Sequence, residues 1–171
     1  MTMTTTTTTA QRLSRRTLMV LPLVLAACGF APAYGPGGPA AGINGTIRAA
    51  NPTDKNAFDL VARLDQRLGR PNADRYDLTY AITTQPAGVG ITPDNAITRY
   101  NLKGAVDWTL TDRGTGLRLT GGKVESFTSY SATGSTVAGL AAEEDASLRL
   151  MRILADQIVT RLIATSGDWL Q

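Results

Sequence analysis

The chain has 171 residues, with 17 lysines and arginines against 14 carboxylates, a formal charge of +3, no histidine and one cysteine. With no imidazole and a single thiol, the usual sets of nucleophile, general base and metal ligands cannot be assembled, so neither an enzyme nor a cofactor is expected. Three of the basic residues, Arg12, Arg15 and Arg16, lie within residues 1–27, and without them 14 basic residues face 14 acidic ones. That balance removes the cationic excess that nucleic-acid binding requires.

Residues 1–27 read as a signal peptide. Arg12, Arg15 and Arg16 give a positive n-region, Leu18 to Leu25 an apolar stretch interrupted by Pro22, and Ala26-Ala27 the small residues a signal peptidase needs. The stretch is too short to span a bilayer. Leu25-Ala26-Ala27-Cys28 has the pattern of a bacterial lipobox, which makes Cys28 the lipidated first residue of the mature chain. Acylation also accounts for an unpaired thiol in an exported protein, and acyl chains hold a domain at a membrane without a spanning segment. A plain secretory signal with an incidental thiol is the rival reading. Ser14-Arg15-Arg16-Thr17-Leu18-Met19 also looks like a twin-arginine signal, so the export path stays open between the general and twin-arginine routes.

Residues 28–42 are rich in glycine and proline and form a tether from Cys28; residues 43–171 are expected to be a single domain. Ile43 to Ala50 is a strand candidate. Pro52 disfavours helix at Asn51, Thr53 or Asp54 can cap, and Phe58, Val61, Leu64 and Leu68 recur at helical spacing before Gly69 and Pro71. A helix from about Asp54 to Leu68 is predicted. Tyr76, Leu78, Tyr80 and Ile82 alternate with Asp77, Thr79, Ala81 and Thr83 as in a half-buried strand. A loop holding Pro86, Gly88, Gly90 and Pro93 is expected next.

The clearest strand follows, with Tyr100, Leu102, Gly104, Val106, Trp108 and Leu110 on one face and Arg99, Asn101, Lys103, Ala105, Asp107 and Thr109 on the other. Asp112 to Gly116 is a hairpin turn. A two-residue turn at Gly114-Thr115 would place Leu110 opposite Leu119 and bring Leu117 and Leu119 to the apolar face. Gly121-Gly122 suggests a bulge before a strand over Val124 to Tyr130. From about Leu140 to Thr165 a long helix is predicted, with Leu148, Met151, Leu154, Ile158 and Leu162 as its stripe. Glu143, Glu144 and Asp145 near its start and Arg149, Arg152 and Arg161 later suit the helix dipole. The order β-α-β-β-β-α gives an α+β fold: a four-stranded, mostly antiparallel sheet with two helices packed on one face. No phosphate-binding glycine motif appears, since Gly114-x-Gly116 sits in a hairpin.

Several of these features together resemble one family. They are the lipobox running into Cys28-Gly29-Phe30 with a nearby proline, the strand–helix start, the meander ending in Ser126-Phe127-Thr128-Ser129-Tyr130, and a final helix opening with acidic residues and alanines. They look like the LPS-assembly lipoprotein family LptE in its shorter, alphaproteobacterial form. That resemblance implies a lipoprotein on the periplasmic face of the outer membrane, plugging an LptD-type β-barrel and helping to deliver lipopolysaccharide to the surface. Implied partners are the barrel, lipopolysaccharide through its lipid A phosphates, and the membrane through acyl chains on Cys28. Arg99 and Lys103 on one strand, Arg118 and Lys123 on its hairpin partner, and Arg113 at the tip are the candidate phosphate or barrel contacts. Their bland alternative is an ordinary exposed sheet face. The rival functions are an auxiliary lipoprotein of an ABC-type intermembrane lipid transporter and a purely structural surface lipoprotein.

Overall fold

The computed structural model describes Gly35, Gly38, residues 40–132 and residues 134–170. Residues 1–34, which hold the signal, Cys28, Phe30 and Tyr34, lie outside the described residues. In chain order the elements are β1 (Ile47–Ala49), α1 (Lys55–Leu68), β2 (Tyr76–Ile91), β3 (Ile97–Asp112), β4 (Arg118–Ser131), α2 (Thr136–Ala164) and a short α3 (Ser166–Trp169). The sheet order is β1-β2-β3-β4, with β1 parallel to β2 and the other neighbours antiparallel. The fold class is the one expected from periodicity.

α1 starts where its cap dictates. Asp54 is extended and its carboxylate accepts from the Ala57 N–H at 2.8 Å, satisfying one of the orphan donors of the first turn. At the other end Gly69 takes φ +77°, which a side chain would resist. The buried stripe is Ala57, Leu60, Leu64 and Leu68, while Phe58 stays 62% exposed. Two stripes sharing Leu64 and Leu68 were available, and packing chose the one that carries Leu60.

β2 corrects the expected loop. It runs unbroken past Pro86 and Gly88 and pairs with β3 as far as Ile91, with register shifts only from Gly88 onward. Proline ends a strand that is hydrogen-bonded on both sides, but among the described residues β2 has a neighbour on one side only beyond Leu78.

The hairpin register is also corrected. Leu110 faces Thr120, not Leu119, and a shift follows before Thr111 meets Arg118. The turn is wider than two residues because Asp112 organises it. Its carboxylate accepts from the N–H groups of Gly114 and Thr115, Gly116 N–H bonds to the Asp112 carbonyl, and Gly116 takes φ +71°. The bulge therefore falls at Leu119, which leaves Leu119 half-buried and Leu117 65% exposed. Gly121 and Gly122 pair regularly with Thr109 and Trp108. A Cβ at Gly121 would lie 2.7 Å from the Trp108 carbonyl, so the glycine serves close approach and not a bulge.

α2 begins at Thr136, capped by Ser135, which accepts from Ala138 N–H at 3.3 Å. Glu143 to Asp145 thus sit beyond the first turn, where the dipole has faded. The core joins Leu60 and Leu64 of α1, Leu150, Met151, Leu154, Ile158 and Leu162 of α2, and Tyr76, Leu78, Val106, Leu110 and Val124 of the sheet. A Cβ at Gly104 would approach Leu150 Cδ2 to 2.8 Å and Leu154 Cδ1 to 3.2 Å, so α2 crosses β3 there. α3 returns Trp169 edge-on to Tyr76, ring centroids 5.2 Å apart. Arg63 of α1 forks onto Asp156 of α2 with bonds of 3.0 and 2.9 Å, tying the helices outside the core.

Candidate functional site

Both main helices pack on the face that carries Leu102, Val106, Trp108 and Leu110. The opposite face has no helix among the described residues. Strand alternation places Thr79, Thr83 and Gln85 of β2, Asn101, Lys103 and Asp107 of β3, and Lys123, Glu125 and Phe127 of β4 on it. Its floor is low: Ala81 faces Asp107, Ala105 faces Thr83 and Glu125, and Gly121 faces Thr109. Two shallow basins result. One is lined by Thr83, Gln85, Lys103, Ala105, Glu125 and Phe127, the other by Thr79, Asp107, Thr109, Arg118 and Lys123.

All four strand cations picked out in the sequence lie on this face, but they form a ladder and not a cluster. Arg99 faces Ser131, Lys103 faces Phe127, Lys123 faces Asp107 and Arg118 faces Thr111. These are every fourth rung, about 13 Å apart at the usual strand rise. Arg118 also folds inward over Gly121, where an added Cβ would lie 2.8 Å from its Nη2.

Their electrostatics differ. Lys123 Nζ lies 2.6 Å from Glu125 Oε1; that hydrogen bond and the carboxylate charge, with Asp107 assisting, raise the Lys123 pKa and lower that of Glu125. Lys123 is thus held charged and already paired. Arg113 is not on the ladder. It reaches Asp74 at 3.1 Å and Asp77 at 3.9 Å, and Asp74 also holds Arg48, so the hairpin tip is pinned to the β2 start. Arg99, Lys103 and Arg118 have no ion-pair partner among the described residues.

Sequence reasoning missed Phe127. It is 62% exposed on the open face beside Lys103, and its odd position in β4, in phase with Lys123 and Glu125, was the signal. On the helix side, Tyr100 and Tyr130 stack at 5.4 Å. Burial first, then Glu143 and Tyr100, raises the Tyr130 pKa. Among the described residues no helix is long and apolar enough to cross a membrane, and no group of histidine, cysteine and carboxylates could hold a metal ion.

The family model for LptE, lipopolysaccharide-assembly, matches residues 45–162. Three solved structures share the fold. A putative lipoprotein from Caulobacter crescentus is 23% identical with a TM-score of 0.64, the match covering 78% of this chain and 98% of that one. The rare lipoprotein B from Shewanella oneidensis is 14% identical with a TM-score of 0.56, covering 74% and 98%. A minor lipoprotein from Acinetobacter baumannii is 19% identical with a TM-score of 0.51, covering 70% and 89%. No match was found among curated protein sequences.

Proposed function

Because the chain belongs to the LptE family of lipopolysaccharide-assembly proteins, we propose that it is a lipid-anchored outer-membrane protein that partners an LptD-type β-barrel. It assists lipopolysaccharide assembly by contact and not by catalysis. The observation that carries this reading is the bare sheet face, polar along its length and stepped with cations at Arg99, Lys103, Lys123 and Arg118. A domain that buries one sheet face under helices and leaves the other wet and shallow suits a water-filled, polar-lined lumen, where an apolar face would find no match. Near-zero charge after loss of residues 1–27 keeps such a plug from being repelled by either sign of wall charge.

Within that role each available cation has one task. Arg99, Lys103 and Arg118 pair with lipopolysaccharide phosphates one at a time, since basic side chains about 13 Å or more apart do not converge on one group. Phe127 offers an apolar contact beside Lys103. Lys123, held by Glu125, and Arg113, held by Asp74, shape the face and the tip. Acyl chains on Cys28 hold the domain at the periplasmic leaflet.

Depletion tests the role and substitution tests the face. Loss of the protein is expected to reduce surface lipopolysaccharide and to leave an LptD-type barrel unassembled. The triple change Arg99→Gln, Lys103→Gln, Arg118→Gln should weaken lipopolysaccharide binding by about tenfold or more at low salt, and less at high salt, while leaving the melting temperature alone. Normal surface display after depletion, or recovery of the tagged protein with inner-membrane ABC-transporter components instead of the barrel, would overturn the proposal.

A further inference from the structure

Among the described residues β2 has an open edge. β1 pairs only with Tyr76, Asp77 and Leu78, yet β2 continues to Ile91. The direction of its free backbone groups follows from the bonds at its start. Tyr76 N–H donates to the Thr46 carbonyl and the Leu78 carbonyl accepts from Ala50 N–H, so even-numbered residues of β2 turn both groups away from β3. Register with β3 is unbroken from Tyr76 to Gly88, so alternation gives Tyr80, Ile82 and Thr84 the same outward direction. Pro86 has that phase too. The N–H it lacks is one the β3 ladder does not use.

The composition of this edge is as telling as its geometry. Open edges are normally guarded by charged side chains. Between Asp77 and Asp94 the chain carries no charged residue, and the outward row begins with Tyr80, Ile82 and Thr84, all strand formers. Only Pro86 limits it. The outcome is a short, uncharged row of backbone donors and acceptors bounded by β1 on one side and a proline on the other.

The geometry points to this edge as a site of strand addition, in which an extended segment of about five residues from the barrel partner pairs with Tyr80 to Thr84; the inference rests on the partner reading above. Backbone groups in strand register are complementary to another strand's backbone, not to lipid or phosphate. A second copy of this chain fits poorly. In an antiparallel two-fold pair centred on Ile82, Pro86 of one copy falls opposite Leu78 of the other, whose outward carbonyl is already bonded to Ala50.

The test uses the full chain co-expressed with the LptD-type barrel of the same bacterium. Residue-resolved hydrogen exchange on the isolated protein should show Ile82 and Thr84 amides exchanging at least about tenfold faster than those of Ala81 and Thr83, and the complex should abolish that alternation. Thr84→Pro removes one outward N–H as Pro86 already does. It should keep the wild-type melting temperature and lower barrel recovery by about tenfold, the worth of one well-made hydrogen bond, whereas Thr84→Val, which keeps the N–H, should match the wild type. Alternation that persists in the complex, or a folded Thr84→Pro variant that recovers the barrel as well as the wild type, overturns the inference and leaves the partner reading standing. Failure of the wild type to recover the barrel overturns both. Protection of Ile82 and Thr84 that rises with concentration in the isolated protein would assign the edge to a second copy instead.

Discussion

The two halves of the β2–β3 hairpin share one register as far as Gly88 and differ in what covers them. Near β1, Tyr76 and Leu78 are buried against α1, α2 and Trp169; further along, Tyr80 and Ile82 are half-buried, and Thr84 and Pro86 are exposed. The reason is length. A 16-residue strand extends about 50 Å, whereas the 14-residue α1 covers about 21 Å and β1 only three residues. One half of the hairpin therefore sits in the core under both helices, and the other is held by its own ladder and by α2, with Leu102 as its buried anchor.

Substitutions should separate the halves. Leu78→Ala opens a cavity in a fully buried site and is expected to cost about 3 kcal/mol, within the 2–5 kcal/mol typical of such changes, by chemical denaturation. Gly104→Ala sits between the halves, on the rung of Thr84 and Ser126, and forces a methyl group against Leu150 and Leu154. Overpacking there should cost about 1–3 kcal/mol, less if α2 can slide. Ile97→Ala, 41% exposed near the far turn, should cost under about 1 kcal/mol. If Ile97→Ala destabilised the protein as much as Leu78→Ala, the far half would belong to the core and the contrast would fail.

The same contrast explains what was readable in the sequence. Where both sides of an element are packed, side-chain period and local chemistry agree, so the α1 cap and the two faces of β3 were legible, as was the α2 stripe from Met151 to Leu162, although it is Leu150 and not Leu148 that is buried at its start. Pro86 and Gly88 misled because they punctuate a chain only where a ladder needs their N–H or Cβ, and which edge of β2 is open is a fact about β1, far away in sequence. Leu117 and Leu119 misled because parity holds only until a bulge, and the bulge is set by the Asp112 carboxylate gripping two backbone amides. For the candidate site, strand phase put Arg99 and Lys103 on one face of β3, whereas Arg118 and Lys123, five residues apart, share that face only because a bulge lies between them, at Leu119 and not at Gly121-Gly122. Their spacing needed the register. That Arg113 is spoken for needed Asp74, brought to the tip only by the folded sheet.

The hairpin tip at Arg113 supplies the smallest test. It lies at the covered end, yet it is held by hydrogen bonds and ion pairs and not by packing, so its contribution should follow the charge of one half-buried carboxylate, that of Asp112. The backbone N–H of Thr115, then its hydroxyl and the N–H of Gly114, hold the Asp112 pKa below the ordinary carboxylate value. A depressed folded pKa means that the stabilisation is fully present above the unfolded value and fades as pH falls through the folded one. The melting temperature of Asp112→Ala should therefore lie slightly below that of the wild type above about pH 5, and the gap should close towards about pH 2. Asp112 is the one carboxylate that differs between the two proteins, so the closing gap follows the loss of its charge and of its grip on the turn. A gap that stayed constant across that range would mean that the turn is held by Gly116 and the strands, and that the carboxylate's grip on Gly114 and Thr115 contributes nothing.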